Sequence, residues 1–372
     1  RLEMTQTKLE MGATRRGFLL GTGAAGVGAF FAGTQVMTAG QATARTRSAG
    51  VTSAVGGRDK ARVAGIVDRG GRPAVPGACV VIQFNHADVE TSQGVYNWSV
   101  VDNAIAASIS KGAVGVRLRP NSGEWAPAWA KSKFGTVHVV DAQTGAAWDS
   151  VRFWTPGFQA AAQGFDAAMA ARYDSNDRVR EVMAWPNGSE YSCETMLRQF
   201  GPSANRQAYL AAGYSYAVDQ ANILAWVDHF ATTWTRTHMQ TWVSSCFQQI
   251  NANGTISQNY AFAEAYMRHC VAVMPDAGIG INNSDLVSYL NPPTSTIYQI
   301  ALKVHQDTGA RRGDQTATTA KVGGKAAVAQ MFSGSNLALM IAAGVRSQEW
   351  PAGNGMTAAQ ISTAHNALIA AD

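Results

Sequence analysis

Two stretches, Ala78-Cys79-Val80-Val81-Ile82-Gln83-Phe84 and Ala113-Val114-Gly115-Val116-Arg117-Leu118-Arg119, flank a helix-length amphipathic segment, Val100 to Ser110. Short β-type runs on either side of a helix read as a strand–helix–strand unit, which places the two strands parallel in one sheet. The same alternation continues along the chain. Further strand-type runs span Arg180 to Trp185, Met239 to Ser245, Gly278 to Asn282, Gly313 to Ala317 and Val345 to Glu349. The helical segments between and after them are Phe158 to Tyr173, Arg206 to Arg236, Tyr260 to Val273, Thr296 to Thr308, Lys325 to Ala343 and Thr357 to Ala371.

Seven such units without a dinucleotide fingerprint favour a closed barrel over a doubly wound open sheet. The expected fold is therefore α/β, a single (β/α)8 TIM barrel over residues 63–372 with a long loop insertion after an early strand. Two runs compete for the eighth strand. One is Ala64 to Val67, which raises every later strand number by one. The other is Thr136 to Val140, which reads more as a hairpin in the inserted loop, with Trp148 and Trp154 after it.

Composition narrows the function. The chain has 372 residues, 46% of them hydrophobic and 15% charged, with a net charge of +5 and no basic run, so a large core is expected and nucleic acid is not an expected partner. Residues 1–44 contain Thr14-Arg15-Arg16-Gly17-Phe18-Leu19-Leu20, a Gly/Ala-rich apolar stretch to Gly33, and Ala42-Thr43-Ala44. This segment resembles a twin-arginine signal peptide cut after Ala44. Its apolar part falls short of the ~20 residues that a membrane span needs. Export to the periplasm, cell wall or exterior is expected, with no stable membrane anchor after cleavage. Residues 45–62 read as a flexible linker. The four cysteines form no C-x-x-C pair, and Cys246 and Cys270 are either a disulfide or buried free thiols. No cofactor and no metal are expected, and the oligomeric state is left open.

Barrel active sites lie at the C-terminal ends of the strands. There this sequence delivers amides, carboxylates, arginines and tryptophans: Asn85 and His86; Arg119, Glu124, Trp125 and Trp129; Trp185, Asn187, Glu190 and Tyr191; Asn282 and Asp285; Gln315; Glu349 and Trp350. A sugar needs polar groups for its hydroxyl edge and aromatic platforms for its C–H face. Cleaving a glycosidic bond further needs two carboxyl groups, and Glu190 and Glu349, each at a strand end with aromatic neighbours, form the expected catalytic pair. The competing structural reading pairs Glu190 with Arg198, and Glu349 with Arg117 or Arg346. Glu90 and Asp102 read as loop-fixing residues, and Trp98 and Trp226 as core.

The run Val89-Glu90, Gly94-Val95-Tyr96-Asn97-Trp98 and Asp102, followed by Val116-Arg117-Leu118-Arg119 and Pro127-Ala128-Trp129, resembles the opening of clan A (β/α)8 glycoside hydrolases of the β-galactosidase-like kind. The resemblance extends to Asn187-Gly188-Ser189-Glu190 and to Glu349. It implies Glu190 as acid/base and Glu349 as nucleophile. That clan puts the two acids at the fourth and seventh strands and uses an Asn-Glu dipeptide, whereas four strand steps separate Glu190 from Glu349 here. Asp314 and Asp285 are therefore substitutes for Glu349, and Glu194 for Glu190. The expected function is an exported glycoside hydrolase acting on an extracellular or cell-envelope carbohydrate. The alternative is a secreted carbohydrate-binding barrel that has lost hydrolysis.

Overall fold

The computed structural model describes residues 58–141, 145–185, 201–243, 248–281, 296–316, 319–350 and 355–372. Seven strands form one parallel sheet: the first Gly65–Asp68, the second Cys79–Asn85, the third Val116–Asn121, the fourth Val179–Met183, the fifth His238–Gln240, the seventh Arg312–Gln315 and the eighth Val345–Trp350. The eighth pairs with the first and with the seventh, so the order runs seven, eight, one, two, three, four, five. The sixth position belongs to 278–281, which bridges Gln240 and Val243 on one side and Arg312 on the other. Its backbone bonds reach both neighbours, Gly278 N–H to the Met239 carbonyl at 2.8 Å and Gly313 N–H to the Ile279 carbonyl at 2.8 Å. The ring closes into an eight-position α/β barrel.

Of the two candidates for the additional strand, the short run near Ala64 takes the place, as Gly65–Asp68. Thr136–Val140 instead pairs antiparallel with Ala147–Val151, a hairpin in the loop after the third strand. Two expected helices are each split. Arg206 to Arg236 becomes Ser203–Ala211 and Tyr216–Thr233, and Lys325 to Ala343 becomes Lys325–Met331 and Gly334–Ala342. Gly213 (φ 85°) and Gly334 (φ 52°) adopt left-handed backbone at the breaks, which a continuous right-handed helix excludes.

Alternation along the strands separates two interiors. Val80, Ile82, Phe84, Val116, Leu118 and Val182 face the helices in the main apolar core. On the opposite faces, Val67, Cys79 and Val81 join Val63 in a small apolar layer inside the barrel. Above it the interior turns polar. Cys79 and Cys270 are buried free thiols, which settles the Cys270 alternative against a disulfide, while Cys193 and Cys246 lie outside the described residues. Among the described residues no helix is long and apolar enough to cross a membrane.

The segment assigned to the linker is partly structural. Lys60 Nζ donates to the Tyr173 and Val179 carbonyls (3.2 and 2.8 Å) and to Thr237 Oγ1 (2.7 Å), and Arg58 pairs with Asp276 at 2.8 Å. Residues 58–62 therefore seal the N-terminal end of the barrel instead of swinging free.

Glycines on the sixth and seventh strand positions make room for larger neighbours. Gln240 Nε2 donates to the Gly313 carbonyl (3.0 Å), as does Trp242 Nε1 (2.5 Å), and a Cβ on Gly278 or Gly313 would run into Gln240. A Cβ on Gly280 would collide with the Gly313 carbonyl, which is backbone and has little freedom to yield. G280A is expected to destabilise by at least the ~1–3 kcal/mol of an overpacked core. Gly164, exposed within the helix Pro156–Tyr173 with open space around it, is the control, and G164A should stabilise by ~0.5–1 kcal/mol. Urea unfolding of the two variants checks both signs.

Candidate active site

The inward faces of the third, fourth and eighth strands meet in a buried ionic cluster. Arg117 donates from Nε (2.9 Å) and Nη2 (2.7 Å) to Glu181 Oε2, from Nη2 to Ser347 Oγ (3.1 Å) and from Nη1 to Glu349 Oε2 (3.4 Å). Arg119 Nη2 donates to Glu349 Oε1 in a short charge-assisted bond, and Gln315 Nε2 donates to the same oxygen at 3.1 Å. Arg69, just beyond the first strand, puts its Nε 3.4 Å from that oxygen and also donates to the Trp350 and Thr316 carbonyls. Trp242 packs against the cluster, with the Arg119 guanidinium carbon 4.8 Å and that of Arg117 5.7 Å from its ring centre, so the indole face attracts both cations.

Glu349 is 0% exposed. Burial pushes its carboxyl up, but Arg119, Arg69 and Arg117 outweigh that and hold it below the ordinary carboxylate range. It stands on the barrel axis as an anion. The barrel is nevertheless open beside it. Gln83, on the inward face of the second strand and 3.5 Å from Arg119 Nη1, is exposed to solvent.

Several expected contacts are placed elsewhere. His86 is fully buried, with Nε2 2.6 Å from Glu90 Oε2 and Nδ1 3.3 Å from Ser122 Oγ, and it packs on Phe165 at 4.2 Å. Burial lowers its pKa, so the neutral ring donates to Glu90 and accepts from Ser122, which leaves no nitrogen for a sugar. Glu90 also accepts from the Gly94 N–H at 2.7 Å, the loop-fixing role expected of it. Trp185 and Trp350 are not platforms. Trp185 is buried against Phe165 and Trp226 with Nε1 donating to Asp166 (3.3 Å), and Trp350 packs edge-on against Phe332. Both turn toward the helix layer, Trp350 because it alternates with the inward Glu349 and Trp185 because the fourth strand ends at Met183, before the alternation from Glu181 would carry it inward. Asp314 also faces outward, accepting from Arg312 (2.9 Å) and the Ile281 N–H (3.1 Å), so it is no substitute nucleophile.

Other residues remain at the mouth. Asn85 is half-buried and donates to Asp88 at 3.0 Å. Trp125 and Trp129 are half-buried on the loop after the third strand, where Trp129 packs on Phe134. Asn187, Glu190, Tyr191, Glu194, Asn282 and Asp285 lie outside the described residues. Sequence reading missed Arg69, Glu181 and Trp242. For Glu181 the signal was present, as an acid at the centre of the short strand Val179–Met183.

Glu124 sits in the turn Gly123–Trp125, half-buried. Burial raises its carboxyl to about 7; Lys131 opposes the rise and Asp141 adds to it. A raised acid pKa means the native state holds the proton more tightly than the unfolded chain. The associated stability is full below about 4.5 and is lost as pH rises through about 7. E124Q, permanently neutral, should flatten this part of the stability profile. Denaturation midpoints at several pH values across that window check it, and an unchanged slope would count against the assignment.

The glycoside hydrolase family 42 model, described as beta-galactosidase, matches residues 78–268. Among solved structures, xylanase XynB from Paenibacillus barcinonensis is similar with 10% identity and a TM-score of 0.44, covering 77% of this chain and 83% of its own. A beta-galactosidase from Rahnella sp. R3 is similar with 12% identity and a TM-score of 0.43; 73% of this chain is covered, and this chain spans 45% of that enzyme. No curated protein matches. The matched family segment takes in more than half of the residues, from the second barrel strand past the arginine pair and the fifth strand, and the chain therefore belongs to glycoside hydrolase family 42 and is a glycoside hydrolase.

Proposed function

We propose that this hydrolase acts outside the cytoplasm, on an extracellular or cell-envelope oligo- or polysaccharide, through two carboxyl groups of which Glu349 is the ionised one and Glu190 the acid. The observation that carries this reading is the Glu349 carboxylate held charged on the barrel axis by Arg119, Arg117 and Arg69, beside the solvent-open Gln83. In the reaction the acid protonates the leaving glycosidic oxygen, while the carboxylate attacks the anomeric carbon or takes a proton from the attacking water. An oxocarbenium-like transition state gains from an anion that is already desolvated and oriented. Arg69, 21% exposed, is the most exposed of the three arginines around Glu349. Membership in a hydrolase family favours turnover over the non-hydrolytic sugar-binding alternative.

A second reading is favoured by the complete burial of Glu349. In it Glu349 anchors the arginines, and the second acid is supplied from the stretch that contains Asp285. Chemical rescue separates the two. E349A should cost roughly 10³-fold or more in kcat on 4-nitrophenyl glycosides, as loss of a reacting group does, and added azide should restore turnover and yield a glycosyl azide. A folded E349A that azide leaves inactive assigns Glu349 to anchoring. E190Q should likewise abolish turnover with the fold intact.

Export rests on the Arg15-Arg16 pair ahead of the apolar stretch ending at Gly33. Replacing both arginines by lysine should leave the full-length protein in the cytoplasm of a bacterial host that runs the twin-arginine route, as read by cell fractionation. Equal export of the variant would overturn it.

A further inference from the structure

We propose that Asn121 is a specificity-determining residue that hydrogen-bonds two neighbouring hydroxyls of the sugar at the barrel mouth, an inference that rests on the glycoside hydrolase reading and names which part of the substrate is read. Asn121 ends the third strand, in register with Asn85 of the second. It follows Arg117 and Arg119 in the alternation, so its side chain belongs to the same inward face. It is 1% exposed, yet neither Oδ1 nor Nδ2 has a hydrogen-bond partner. On the seventh strand, the buried Gln315 shares part of this condition: its Nε2 serves Glu349 while its Oε1 has no partner. Buried amides are almost always paired, because an unpaired one has given up water for nothing.

Gln83, two residues before Asn85 on the same inward face, is open to solvent, and Asn85, the register partner of Asn121, is half-buried, so the strand beside the unpaired amide reaches solvent at this end of the barrel. A primary amide presents one acceptor and two donors on adjacent atoms. Each sugar hydroxyl both donates and accepts, so a vicinal diol meets both amide atoms at once. A substrate with that diol free is the class this geometry takes.

The fold without substrate has no use for the amide, and this gives a readout that a structural role cannot imitate. N121L keeps the volume and removes the unpaired atoms. It should lower kcat/KM by tenfold to a hundredfold, mostly through KM, on whichever of the 4-nitrophenyl β-galactoside, β-glucoside, β-xyloside and α-arabinofuranoside the wild type cleaves, while its melting temperature stays level or rises. A kcat/KM within twofold of wild type, or a fall in melting temperature with the activity of the folded fraction intact, overturns the proposal. Should N121L not fold, N121A is judged by the same kcat/KM criterion.

If the wild type cleaves none of the four, the hydrolase reading fails on its own. The diol contact is then tested by the melting shift with millimolar methyl glycosides of the same sugars. A shift that N121L abolishes supports the contact. A shift that persists in N121L, or no shift in the wild type, overturns it.

Discussion

The meeting of Glu349 with Arg119 and Arg117 across the barrel axis orders the upper half of this molecule. Burying one carboxylate without a partner costs several kcal/mol or more, and burying a guanidinium costs a similar amount. The cluster is tolerable only because each charge is shared: Glu181 takes two donors from Arg117, Ser347 takes a third, Gln315 completes Glu349, and the Trp242 face lies under both guanidinium groups. Removing one member leaves the others buried and uncompensated, so third, fourth and eighth strands are tied to one register.

That demand reaches down the barrel. For Trp242 to lie against the arginines and Gln240 to cross toward the seventh strand, the strand positions opposite must give up their side chains, and Gly278, Gly280 and Gly313 do so. The sixth position shows the result, as a short glycine-containing segment joined by bridges on both sides. Below this level the interior is small and apolar, and residues 58–62 seal the end. The ionic cluster around Glu349 thus lies above the small apolar layer, and the buried polar groups at the other end, Lys60 and Arg58, are spent on sealing it. The unpaired Asn121 amide fits the same logic, since buried polarity without a protein partner is tolerated where a ligand supplies one.

Much of the architecture was legible in local pattern. Seven strand-type runs, the helices between them and the inserted hairpin after the third strand follow from periodicities of two and 3.6 and from turn residues, all of which are short-range. The two helices that break at Gly213 and Gly334 were read as continuous, because one glycine inside an otherwise periodic run carries little weight until its backbone hand is known. Arg119 and Glu349 were both read among the strand-end residues, but not as partners. Of the arginine pairings only that of Arg117 with Glu349 was foreseen, as the competing structural alternative; that of Arg119 was not, and Arg346, the other partner weighed, bonds the Ile341 and Val345 carbonyls instead.

Side-chain direction at the rim was not legible, and it decided the roles. Trp185 and Trp350 have the same sequence surroundings as sugar platforms, but alternation with Glu349 turns Trp350 into the helix layer and the end of the fourth strand at Met183 lets Trp185 turn there too; His86 is consumed by Glu90 and Ser122, and Asp314 by Arg312. Arg69 enters the site only because the first strand ends beside the eighth, a neighbour relation between residues about 280 apart in the chain. Composition and periodicity, being properties of neighbouring residues, were enough for an α/β barrel and for which strand ends carry the polar groups. Which of those groups face one another, which are neutralised and which amide is left without a partner depend on closure of the ring, because only closure brings distant strands within hydrogen-bonding distance.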